Sequence, residues 1–243
     1  LAVFFFSGHG AANNLGGYLV TQDARQYDEG VAMADVIRLA NSSPARERII
    51  ILDCCHSGTL GTLPELDNSA LLNEGVSILA ACRNTEFALE QNGAGLFTTL
   101  VCDAISGGAA DVCGKVSVAS IYAYADEALS EWDQRPLLKA HVSRLVPIRK
   151  CEPAVPLDVL RRLPQYFPNA TDSFPLDPSY EPEARPEHQE HQVIFEHLQC
   201  MNRARLIIPV DAPHMYLAAI ESKACKLTAL GRFYWHCVQG GKI

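Results

Sequence analysis

Residues 49–52 are four consecutive aliphatics, Ile-Ile-Ile-Leu, and they stop abruptly at Asp53-Cys54-Cys55-His56-Ser57-Gly58. An apolar run of strand length without alternation must be covered on both faces, which the interior of a parallel sheet provides. Residues 2–6 (AVFFF) and 76–82 (VSILAAC) read the same way. The first of these also ends in a glycine turn, Ser7-Gly8-His9-Gly10. Between the strand patterns, "DEGVAMADVIRLANSS" places Val31, Met33, Ala34, Val36, Ile37 and Ala40 at helical spacing, and "NSSP" ends it. Strand, helix, strand at this length is a right-handed crossover unit. Residues 95–106 and 117–132 read as helices packed on the sheet, and 141–148 as a short closing strand.

In an open α/β sheet the functional crevice lies beyond the carboxyl ends of the strands. Two parallel strands that end near His9 and Cys55 therefore bring an imidazole and a thiol to one sheet edge. An imidazole can take the thiol's proton and generate the nucleophile. Glycines beside both residues allow sharp turns and leave backbone N–H groups to meet a developing oxyanion. The residues thus point to acyl transfer by a Cys–His dyad. Cys54 alternates to the opposite side of the strand and reads as core. His56 adjoins the thiol within the same turn and reads as a turn or pocket-wall residue rather than the base.

"FFFSGHG" and "ILDCCHSG" together resemble the two signatures of the caspase-like cysteine peptidases, specifically the metacaspase and orthocaspase branch. His9 precedes Cys55 by 46 positions, near the roughly 50 of a caspase-type pair. "VSILAACRNTEFALE…GLFTTLVCDAI" extends the likeness over residues 1–150. The resemblance implies a three-layer α/β caspase-like fold with a mostly parallel sheet. It implies His9 as base, Cys55 as nucleophile, and the N–H groups of Gly10 and Cys55 as the oxyanion hole. It also implies Ser7 and Asp53 as the lining of the primary specificity pocket. A buried carboxylate there calls for a cationic partner, so cleavage is expected after Arg or Lys. The alternatives are a non-cleaving signalling or scaffold protein of the same fold, and a protease of Asp specificity. Members usually carry about two strands before the His strand, so the sheet is expected to lack its N-terminal strands. The chain opens without Met inside a strand pattern, which implies sequence upstream of Leu1.

Residues 151–189 are acidic and proline-rich and read as a linker. Arg161, Arg162 and Arg185 within it are the expected self-cutting points, since residues 56–82 hold no Lys or Arg. From 190 onward the pattern is helix, strand, helix, strand, helix. "CKLTALGRFYWHCVQGGKI" resembles the wing and last helix of a winged-helix domain, a small α+β unit over 190–243. That segment carries six cations against four acids and no basic run, which disfavours DNA and favours a regulatory protein partner. Tyr216, Phe233, Tyr234 and Trp235 at helical spacing read as core rather than a base-stacking platform.

The net charge of −8 argues against general nucleic-acid binding. No apolar run approaches the roughly 18–20 residues of a membrane span, and the opening run is too short for a signal peptide. Nine scattered cysteines fit reduced thiols of a cytoplasmic protein. Cys200, His214, Cys225, His236 and Cys237 lack the paired spacing of zinc sites. No cofactor or metal is expected. Calcium activation is left open, although "ELDNSALLNEG" at 65–75 lacks an EF-hand ligand ladder and reads as a solvated loop. The expected partners are protein or peptide substrates.

Overall fold

A computed structural model of the 243-residue chain describes residues 1–13, 16–25, 28, 30–54, 72–81, 90–91, 94–129, 135–183 and 185–243. The chain divides into two compact units. The first holds residues 1–110 and 114–151, and the second holds 111–113 and 152–243.

The first unit begins with strand β1 (Ala2–Ser7), a hairpin of β2 (Gly10–Asn13) and β3 (Gly16–Leu19), then β4 (Val31–Ala32) and helix α1 (Met33–Ser42). Strands β5 (Arg48–Asp53) and β6 (Val76–Ala80) follow, with a short pair β7 (Glu90–Gln91) and β8 (Ala94–Gly95). Helix α2 (Leu96–Asp103), strand β9 (Lys115–Val116), helix α3 (Val118–Leu129), β10 (Leu137–His141) and β11 (Arg149–Lys150) complete it. The main sheet has the order β1-β5-β6-β10. β1, β5 and β6 run parallel, and β10 is antiparallel to β6.

Successive side chains of a strand point to opposite faces, and the core follows that rule. Ile49 and Ile51 of β5 pack with Leu79 against Phe97 and Val101 of α2 and Ile121 and Ala125 of α3. Ile50, Leu52 and Cys54 pack with Ile78 against Met33, Val36 and Ile37 of α1. The sheet is therefore the middle of three layers, as expected. Cys54 is fully buried on the α1 side, in the core role expected of it.

Two expectations change. Among the described residues β1 is not covered on both faces. It lies at the sheet edge, and Val3, Phe4 and Phe5 are 49%, 42% and 48% exposed. The closing strand falls at Leu137–His141 rather than 141–148, because its partner β6 is matched there from Ala80 back to Val76.

The second unit contains helices α4 (Leu157–Leu160) and α5 (Leu163–Tyr166), strand β12 (Ser173–Pro175) and helix α6 (Gln189–Arg203). These are followed by β13 (Ile207–Val210), α7 (Met215–Ile220), β14 (Ala224–Leu227) and α8 (Ala229–Gln239). The proline-rich segment is folded, not a linker. Its Val155, Leu160, Leu163, Phe167 and Leu176 are buried with Phe195, Leu198, Ile207 and Leu227 in one core. Its β12 forms an edge of the antiparallel sheet β12-β14-β13, so a unit starting at residue 190 would lack a strand. Two of its prolines open helices rather than prevent them. Pro156 is the N-cap of α4 and Pro164 sits in the first turn of α5, where a missing N–H costs nothing.

The aromatic residues of this unit divide. Tyr234 is buried and the Trp235 indole N–H donates to the Phe167 carbonyl at 2.7 Å. Tyr216 and Phe233 are exposed, contrary to a core role. Burial pushes the Cys225 thiol up to about 12, which disfavours the thiolate a metal would need. Among the described residues no cluster of three or more His, Cys, Asp or Glu could hold a metal, and no helix is long and apolar enough to cross a membrane.

Candidate active site at the strand ends

Ser7 and Asp53 close β1 and β5, and the two residues are direct register partners. The chain turns immediately after each. The Gly8 N–H donates to the Asp53 carbonyl at 3.0 Å, which ties the first turn to the end of β5. His9 follows on the exposed side of that turn. Its carbonyl accepts from the Val20 N–H at 3.0 Å, so its backbone is fixed at the start of the β2–β3 hairpin.

That bond sets the orientation of Gly10. His9 and Val20 are a hydrogen-bonded pair, and Gly10 stands opposite Leu19 at the next position. Opposed residues of an antiparallel ladder alternate between bonded and non-bonded pairs. The Gly10 N–H therefore points away from β3. Cys55, His56, residues 65–71 and Cys82 lie outside the described residues.

Asp53 has the same strand parity as Ile49 and Ile51, so its carboxylate faces helix α2. It is 3% exposed. Its Oδ2 accepts the Thr98 N–H at 3.0 Å and the Thr98 hydroxyl at 2.5 Å. The Thr98 hydroxyl also lies 3.5 Å from Ser7 Oγ. Gly95 is the N-cap of α2 and has no side chain to satisfy the first turn. The Asp53 carboxylate, delivered from the neighbouring strand, takes that place and puts negative charge at the positive end of the helix. Hydrogen bonds to a charged group contribute about 1.5–3 kcal/mol.

Burial of Asp53 is thus offset by hydrogen bonds from Thr98. Burial alone does not require the cationic partner that the sequence argument called for. Thr98 and Gly95 were missed from sequence. The one available signal was a helix opening on glycine, which has no capping atom of its own.

The glycine is required by space. A Cβ at Gly95 would lie 2.0 Å from Asp53 Oδ2 and 2.8 Å from its Cγ. Gly95→Ala is therefore expected to lower stability by about 1–3 kcal/mol, the range for an overpacked interior site. Urea unfolding of the full chain checks this, and a midpoint equal to wild type would contradict the packing.

The family model of the caspase domain, peptidase family C14, matches residues 1–147. The chain belongs to the caspase-domain family. It is a family of cysteine peptidases, and its domain corresponds closely to the first unit. Among solved structures, caspase-1 from Spodoptera frugiperda is similar at 9% identity and a TM-score of 0.42. The likeness covers 61% of this chain and 62% of that one, so the caspase-domain chain spans less than two thirds of the insect caspase. A Geobacter sulfurreducens protein is similar at 13% identity and a TM-score of 0.41, over 63% of this chain and 72% of its own. No curated protein matches.

Proposed function

We propose that the caspase domain is a cysteine endopeptidase that cleaves after Arg or Lys, with Cys55 as nucleophile and His9 as its base. The observation that carries this reading is the Gly10 backbone. Its N–H is turned out of the hairpin beside His9, at the end of the sheet where β5 runs toward Cys55. His9 takes the Cys55 proton as sulfur attacks the substrate carbonyl. The N–H groups of Gly10 and Cys55 receive the oxyanion of the tetrahedral intermediate. His9 then returns the proton to the leaving amine, and water attacks the thioester to release the acid and regenerate the thiol. Ser7 and Asp53 line the pocket for the basic side chain.

The test is an irreversible peptidyl warhead carrying Arg, applied to the full-length protein. Mass spectrometry should find the adduct on Cys55 in wild type and none in Cys55→Ala. A protein never labelled there, with Cys55→Ala unchanged in every assay, would instead be a non-cleaving member of the fold.

Self-cutting follows from the same reading. Residues 56–82 hold no Lys or Arg, so the connection from Cys55 to β6 is expected to stay intact. Arg161 and Arg162 stand between α4 and α5, flanked by buried Leu160 and Leu163, and cannot extend into a protease cleft without local unfolding. Arg185 is exposed and is the remaining candidate of the three. Incubated wild type is expected to show no Cys55-dependent fragment ending at Arg161, Arg162 or any residue from 56 to 82. Intact-mass spectrometry beside Cys55→Ala decides this.

A further inference from the structure

We infer that Thr98 is a positioning residue that divides the Asp53 carboxylate between the fold and the substrate. Oδ2 is held by helix α2, and Oδ1 is kept for the basic side chain that enters the pocket. The inference rests on the reading of Asp53 as a pocket acid for Arg and Lys.

Thr98 approaches both pocket residues. Its N–H and hydroxyl both donate to Asp53 Oδ2, at 3.0 and 2.5 Å, and the same hydroxyl oxygen lies 3.5 Å from Ser7 Oγ. A carboxylate oxygen has about two lone-pair sites, so Oδ2 is filled by Thr98 alone. Strand parity aims Asp53 at α2, and the absence of a side chain at Gly95 lets the carboxylate reach the helix. Among the described residues, therefore, hydrogen bonds occupy Oδ2 and leave Oδ1 for the pocket.

This has a consequence for selectivity. A guanidinium surpasses an ammonium at a carboxylate chiefly when both oxygens accept in parallel. With Oδ2 filled, each cation meets one oxygen, and the advantage of Arg is lost. The caspase domain should accept Arg and Lys nearly alike. Removing the Thr98 hydroxyl frees one lone pair of Oδ2 and opens the two-oxygen contact that only Arg can use.

The experiment measures kcat/KM for matched peptides ending in Arg or Lys, using full-length wild type, Thr98→Val and Thr98→Ser. Wild type should give an Arg-to-Lys ratio within about threefold of one. Thr98→Val should raise the ratio about tenfold, and Thr98→Ser, which keeps a hydroxyl, should retain the wild-type ratio. A purely structural role for Thr98 would lower both substrates in proportion and leave the ratio where it was, which overturns the inference. A wild-type ratio beyond tenfold overturns it as well. If wild type turns over neither peptide and Cys55 is unreactive, the peptidase reading fails, and this inference with it. Active wild type with an unmoved ratio in Thr98→Val overturns the inference alone.

Discussion

Cys55→Ala should lower hydrolysis of an Arg-terminated peptide by about a thousandfold or more, and His9→Ala should lower it by a similar factor. The double variant should be no slower than the slower single variant. The reason is that the two side chains are proposed to perform one act. Without the thiol, His9 has no nucleophile to activate, and without the imidazole the thiol must lose its proton to water. Groups that act as a unit give strongly non-additive losses. What survives is binding and oxyanion stabilisation, which neither substitution removes. His9 is exposed on its turn, so His9→Ala removes no core packing and should leave the urea midpoint at its wild-type value. The decisive measurement is kcat/KM for the two singles and the double in full-length protein, with unfolding curves alongside. Losses that multiply in the double variant would separate the two residues. A His9→Ala protein retaining more than about a tenth of wild-type activity would assign the base elsewhere, with His56 the first candidate by sequence.

How far the fold could be read in advance depended on whether the informative contacts were local. The Ile49–Leu52 run is a strand because four successive aliphatics can all be buried only between two layers, and both layers are present. Helix α1 was legible for the same kind of reason, since Met33, Val36 and Ile37 share a face at helical spacing. The opening run AVFFF has the composition of a central strand and ends the sheet among the described residues, on the side where the resemblance expects about two further strands. Composition reports what a strand can tolerate, not which neighbours it has. The proline-rich segment misled for the opposite reason. Pro156 and Pro164 stand at helix starts, and Val155, Val159, Leu160, Leu163 and Phe167 around them are core residues at helical spacing, a periodicity that the proline content outweighed.

The site shows the same division. His9, Cys55, Ser7 and Asp53 could be nominated from sequence because each pair sits in one short motif, and of these the structure describes Ser7, His9 and Asp53. Thr98 was not, because the atom it serves lies 45 positions away on another element. The link is visible only through strand parity, which turns Asp53 to the α2 face, and through the space left at Gly95. Contacts across 45 positions are the ordinary product of a crossover topology, and no periodicity in a single sequence encodes them.

Gly231→Ala is expected to cost more than about 3 kcal/mol, beyond the usual range for one added methyl in a packed interior. Gly231 lies in the first turn of α8, where its N–H donates to the hydroxyl of the N-cap Thr228 at 3.0 Å. That cap is itself anchored, since the Thr228 N–H donates to the Leu206 carbonyl at 2.9 Å and its hydroxyl to the Arg205 carbonyl at 2.8 Å. The helix start is thereby held against the backbone that leads into β13. A Cβ at Gly231 would fall 1.9 Å from the Leu206 carbonyl oxygen and 2.9 Å from its carbon. The obstacle is backbone, so no rotamer change relieves it. Either α8 withdraws and breaks the Thr228 contacts, or β13 shifts and disturbs its register with β14. Thr228→Ala removes the cap without adding volume and should cost only about 1 kcal/mol. The ordering of the two variants is therefore diagnostic. Urea unfolding of full-length protein, followed by circular dichroism and tryptophan fluorescence with Trp235 in the affected core, should give Gly231→Ala the much lower midpoint. A Gly231→Ala protein as stable as Thr228→Ala, or more so, would mean that α8 does not meet β13 through this backbone contact.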